Sequence, residues 1–158
     1  MVITMQKEFI INELPTDFCH ASTVIATPDG LLSCWFGGTH EGNADVVIWS
    51  SHKVNGKWTA PVKLADGVEA NWNPVLFYNS AGKLHLFYKE GEKISDWKTY
   101  LRISEDHGKT WSEPCEMVAG DVSGGRGPVR NKPIALTNAT VLAGGSIETG
   151  EWTAFVDV

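Results

Sequence analysis

The nonapeptide GGTHEGNAD, residues 37–45, packs three proton-exchanging side chains, His40, Glu41 and Asp45, between glycines. Glycine lets a backbone lie close to a ligand or a neighbour. A carboxylate held there could protonate a departing oxygen, which is what cleavage of a glycosidic bond requires. Glu41 is the first candidate for the acid/base and Asp45 the second. The plainer readings are a solvated loop residue for Glu41 and a loop-capping carboxylate for Asp45. His40 joins them as a candidate ligand contact. No two histidines stand at metal-binding spacing, so neither a metal nor a cofactor is expected.

The elements that would position these groups are short strands. STVIAT (22–27), LLSCWF (31–36), DVVIWSS (45–51) and PVKLA (61–65) are β-branched or aromatic and separated by turn residues. NPVLFY (73–78), KLHLFYK (83–89), TYLRIS (99–104) and EPCEMV (113–118) follow, then KPIALT (132–137), TVLAGG (140–145) and WTAFVDV (152–158). No amphipathic helix is expected. The sets repeat: Ser51 and Ser104, Trp58 and Trp111, and Pro61 and Pro114 each lie 53 residues apart. A period of about 50 residues with four strands per unit is the pattern of propeller blades around an axis.

The clearest copy of the repeated loop is SEDHGKTW (104–111). Ser104 and Asp106 are placed to bond the loop's own backbone, Gly108 to take a positive φ, and Trp111 to return to the core. These four residues are read as structural. The motif matches the Asp-box, Ser-x-Asp-x-Gly-x-Thr-Trp. With the 53-residue repeat and GGTHEG, the chain resembles the sialidase (neuraminidase) superfamily, in its bacterial BNR-repeat form, from about His20 onward.

That resemblance implies an all-β, six-bladed β-propeller of about 300 residues. This chain would supply about half: blade one over 15–66, blade two over 67–119 and an incomplete blade three over 120–158, all one partial domain. Residues 1–14, with KEFIINE at 7–13, would suit a ring-closing strand. The open edges of such a half invite self-association. A small complete β-sheet protein is the alternative.

The resemblance also implies an exo-glycoside hydrolase acting on terminal, in some cases acidic, sugars, with an aspartate on the 37–45 loop as the acid. The family's tyrosine nucleophile and its glutamate would lie beyond residue 158, so the chain alone is expected to be inactive. Its three substrate-holding arginines are not matched: His20 stands where the first would be, and Arg126 and Arg130 fall in the glycine-rich SGGRGPVRNK. The equivalent polar starts of the three innermost strands, His20, Asn73 and Lys132, are expected to meet at the axis with Arg130 as substrate-binding groups. Lys89 is either a substrate contact or a solvated strand end. Glu148 occupies in blade three the loop position of Glu41. Trp72 is read first as packing between blades. The rival functions are a noncatalytic carbohydrate-binding or interaction propeller, and a lyase acting on acidic sugars with His20 as base.

Composition narrows the partners. The 158 residues carry 13 basic and 19 acidic side chains, a net charge of −6 with no basic run, which argues against nucleic acid. A glycan or small sugar is the expected partner. No apolar span or signal sequence is recognised, so no membrane partner is expected and a cytoplasmic location is favoured. The three cysteines are widely spaced; Cys19 and Cys34 are expected to be buried free thiols.

Overall fold

The computed structural model describes residues 4–11, 13–148 and 150–158, and the chain is built almost entirely of antiparallel strands. The first sheet runs β1 (Phe18–Thr27), β2 (Gly30–Gly38) and β3 (Val47–Val54), with the short β4 (Lys57–Trp58) and β5 (Val62–Ala65) both paired to β3. The second runs β6 (Asn71–Tyr78), β7 (Leu84–Glu90), β8 (Lys98–Ser104) and β9 (Cys115–Glu116). The third runs β10 (Ile134–Ala135), β11 (Val141–Ile147) and β12 (Thr153–Asp157). One 3-10 turn, Ile94–Asp96, is the helical exception among the described residues. Among the described residues no sheet closes on itself. Of residues 1–14, expected to hold a ring-closing strand at 7–13, residues 4–11, 13 and 14 form none, and residues 1–3 and 12 lie outside the described residues.

Each sheet grows from a hairpin whose turn chemistry the sequence supplies. Thr27 to Gly30 closes β1 on β2, and Asn79 caps the β6–β7 turn by accepting from the amides of Ala81 and Lys83. The sequence bounds hold best where strands are buried. β6 is buried along nearly its whole length, because its two faces pack on different sheets. Leu76 and Trp72 join Leu32, Cys34, Phe36 and Ile48 in one core, whereas Val75 and Phe77 join Phe87, Leu101 and Val141 in another. β1 instead alternates, with one face exposed. The outer strands shrink: EPCEMV contributes only Cys115 and Glu116, and KPIALT only Ile134 and Ala135. Cys34 is buried, but Cys19 is exposed, on the wall of an open cavity with Ile10, Leu14 and Trp35.

The 104–111 loop holds itself together and ties two sheets. The Ser104 hydroxyl donates to Asp106 Oδ1 at 2.8 Å and accepts from the Gly108 amide at 2.7 Å. Asp106 also accepts from the amides of Lys109 and Thr110 and from the Thr110 hydroxyl at 2.6 Å. The Thr110 bonds are the largest reason its carboxyl is held far below the usual carboxylate range. Trp111 Nε1 donates to the Gly108 carbonyl. Gly108, at φ +92°, lies against Leu32 of the first sheet, and its carbonyl meets His52 Nε2 at 3.1 Å. Arg102 adds a second tie by donating to the carbonyls of Ser112 and of Leu64 in β5, a backbone clamp rather than a salt bridge.

Candidate functional site

The first strands of the first two sheets and the loop leading into the third each carry a left-handed residue. Ala21, Asn73 and Arg130 all have positive φ, at 51°, 46° and 62°. Register shifts accompany the first two, between His20 and Thr23 and between Trp72 and Val75. Such bulges re-aim a side chain and cluster at ligand sites. Here all three residues line one cavity of about 290 Å³, together with His20, Ser22 and Pro74. Asn73 and Arg130 also belong to the wall of a larger cavity of about 400 Å³. That space adds Lys89 from β7, Trp97 after the 3-10 turn, Gly124, Gly125 and Gly127 from the loop before β10, and Ser146 and Glu148 from the end of β11.

The lining is rich in hydrogen-bond donors. Lys89 is 2% exposed. Its Nζ donates to Thr99 Oγ1 at 2.6 Å and to the Arg126 carbonyl at 2.9 Å. Burial is the main influence on it and lowers its pKa to about 8; Asp157 and Asp121 pull the other way. The Thr99 hydroxyl donates to the same Arg126 carbonyl. This pins the glycine-rich loop to the second sheet. The loop's other anchor is Asp157 in β12, which accepts from Arg126 Nε at 2.6 Å, from the second arm of the same guanidinium, and from the Gly127 amide at 2.6 Å. Trp97 packs on Trp72, with ring centroids 5.7 Å apart, and its buried Nε1 has no partner among the described residues. Ser146 donates to Glu148 Oε1 at 3.0 Å, and both are exposed on the rim.

The sequence-derived candidates thus fall into two groups. His20, Asn73 and Arg130 meet at the smaller cavity, and Asn73, Lys89, Arg130 and Glu148 at the larger. His20 is exposed, with its ring edge-on to Phe36 at 5.7 Å. Lys132 does not take the third place expected of it. Arg130, two positions earlier and left-handed in the loop before β10, lines the cavity instead. Lys132 Nζ instead donates to the Leu76 carbonyl at 2.6 Å and Thr23 Oγ1 at 3.2 Å, bridging the first strands of sheets one and two. Lys89 is not a solvated strand end. Arg126, bound by Asp157, already has its carboxylate.

The 37–45 loop lies apart from both cavities. Asp45 Oδ2 accepts from the Thr39 amide at 3.0 Å, so its carboxylate caps the loop. His40 Nδ1 meets the Glu41 carbonyl at 2.9 Å, and the Glu41 side chain is exposed. Trp72 is a packing residue: it is buried against Phe36 and donates to the Gly91 carbonyl at 2.8 Å. Residues that sequence reasoning passed over are Trp97, Ser146 and the glycines at 124, 125 and 127. An odd concentration of glycine before an apolar strand was the one available signal for the last three.

Comparison with known proteins bears on the fold. Residues 29–158 match the family model described as BNR repeat-like domain. No curated protein matches the sequence. Among solved structures, a crystal structure of a protein of unknown function from Dyadobacter fermentans DSM 18053 is similar, with a TM-score of 0.68 at 13% identity. The likeness covers 87% of this chain and 50% of that one, so the chain spans about half the length of the relative it matches. At that identity it speaks for the fold alone.

Proposed function

Because the chain belongs to the BNR repeat-like domain family, we propose that it is the sugar-holding part of a sialidase-like exo-glycoside hydrolase, its three sheets being consecutive blades of a propeller. The observation that carries this reading is the meeting of His20 and Asn73, from the first strands of two sheets, and Arg130, from the loop before the third, around one cavity. A terminal sugar presents many acceptor oxygens, and Asn73, Lys89 and Arg130 present donors. Lys132 supports the arrangement by holding the first strands together rather than by touching ligand.

The acid/base in this reading is an exposed carboxylate of the first or third sheet. Glu41 comes first and Asp45 second, on the loop chemistry set out above. Glu148 is added because it is the carboxylate beside the larger cavity. The nucleophile belongs to the remainder of a longer protein. The test uses that longer protein, on a fluorogenic sialoside and a panel of terminal glycosides. Loss of turnover in Glu41→Gln, Asp45→Asn or Glu148→Gln identifies the acid, and unchanged turnover in all three removes the hydrolase assignment.

A second reading is favoured by one observation: Glu41 and Asp45 stand away from the donor-lined cavities. It makes the protein a noncatalytic carbohydrate-binding domain, for fold does not fix function. Glycan-array binding without hydrolysis by the longer protein decides for it. Self-association through open sheet edges belongs to the same proposal, since β12 carries no outer strand among the described residues. Sedimentation of the 158-residue chain tests it.

A further inference from the structure

Lys89 is an ammonium in a place that suits an amine. An ammonium carries three protons and needs three acceptors; a neutral amine carries two protons and one lone pair. The described surroundings offer Nζ two acceptors, Thr99 Oγ1 at 2.6 Å and the Arg126 carbonyl at 2.9 Å. No carboxylate forms an ion pair with it among the described residues, because Asp157 is engaged by Arg126 and the Gly127 amide. The side chain is 2% exposed, yet it lines a cavity of about 400 Å³, room for a small organic molecule. Gly125, at φ +90°, closes over it; a Cβ there would stand 3.1 Å from Nζ and crowd the amine.

We propose that Lys89 is a carbonyl-reactive amine that forms an imine with the aldehyde of an open-chain reducing sugar, or of a comparable small aldehyde, admitted to this cavity. The Nζ lone pair attacks the aldehyde carbon, and one Nζ proton passes to the carbonyl oxygen to give a neutral carbinolamine. That oxygen takes up the second Nζ proton and leaves as water as the C=N bond forms; hydrolysis returns the amine and the aldehyde. Nothing is oxidised or reduced. Both Nζ hydrogen bonds can stay in place while the lone pair attacks and are given up as the imine forms, since its nitrogen carries no hydrogen; the Arg126 carbonyl then keeps the Thr99 hydroxyl as its donor. The charged groups around the amine are Asp157 on β12, Asp121 and Arg126 on the glycine-rich loop, and Arg130 and Glu148 on the cavity wall. Burial outweighs the two aspartates and brings the amine to about 8, where roughly half is neutral at pH 8, against under about 1% for an ordinary lysine. The inference does not depend on whether the cavity cleaves glycosides.

The test is reductive trapping on the 158-residue protein. Glyceraldehyde with sodium cyanoborohydride converts the imine to a stable secondary amine, and peptide mapping reports each lysine. The exposed Lys57 and Lys93 serve as internal standards. The expected result is modification at Lys89 ahead of both standards, at a rate that rises through pH 8 and levels by pH 9. The preference disappears in urea, and Lys89→Arg leaves the two standards as the earliest sites. Equal or slower modification of Lys89 in the folded protein overturns the proposal. If the variant does not fold, the folded-against-urea comparison on the unaltered protein decides alone.

Discussion

Replacing Gly108 by alanine tests whether the 104–111 loop is an inter-sheet joint. At φ +92° any Cβ is strained, at a cost of about 1–2 kcal/mol. The new methyl would also stand 2.6 Å from Leu32 Cδ2, against a comfortable carbon–carbon separation of about 3.5–4 Å. Leu32 is fully buried and cannot yield without disturbing the core it shares with Leu84. Overpacking of that kind costs about 1–3 kcal/mol. Together the substitution should remove about 2–5 kcal/mol. Gly56→Ala is the control: Gly56 sits at φ +78° in the corresponding turn of the first sheet, with nothing within 4 Å of its Cβ position. It should lose only the backbone share, about 1–2 kcal/mol. Urea unfolding reads both, and with a slope of about 2 kcal/mol per molar the Gly108 variant should shift its midpoint down by about 1–2.5 M. Equal midpoints for the two variants, with unchanged slopes, would refute the claim that this loop packs on Leu32.

Three further outcomes follow, two from Lys89 and the anchor of the glycine-rich loop and one from the 104–111 loop. Asp157→Asn should cost about 2–4 kcal/mol and expose Arg126 and Arg130 to trypsin, because one nearly buried carboxylate holds the glycine-rich loop through three bonds; limited proteolysis checks it. Between about pH 7.5 and 9 the protein should gain about 1 kcal/mol relative to Lys89→Met. The sign follows from a folded pKa of about 8 lying below the ordinary lysine value: the unfolded chain binds more protons across that window, so the penalty of the buried charge fades as pH rises. Parallel urea titrations of the two proteins measure it. Ser104→Ala should lower the urea midpoint, since it leaves the buried Gly108 amide without its acceptor, at about 1–3 kcal/mol.

Much of the strand order was legible in the sequence because buried strands must be apolar, and the 53-residue spacing marks repeated units whatever their surroundings. The loop of Ser104, Asp106, Gly108 and Trp111 was legible because its bonds are local. The meeting point of the three sheets was less so. Its geometry rests on Ala21, Asn73 and Arg130 adopting a left-handed backbone, and those side chains share no chemistry that a pattern could register. Their spacings, 52 and then 57 residues, also slip against the 53-residue repeat, so spacing alone does not separate Arg130 from Lys132. Burial of Lys89 depends on a loop 37 residues later in the chain folding back over it. Nothing within its own strand signals that. Cys19 was misplaced for the converse reason, since an apolar neighbourhood in sequence does not provide a neighbour in space.

The most direct test of the shared cavity is a side-chain NMR titration of the isotopically labelled chain with N-acetylneuraminic acid, glucuronic acid and galactose in turn. The prediction is that at least one sugar moves the Asn73 side-chain amide, Arg130 Nε–H and Trp97 indole N–H signals together, with one saturation curve. Shifts confined to the 39–45 loop, or separate curves for Asn73 and Arg130, would contradict it.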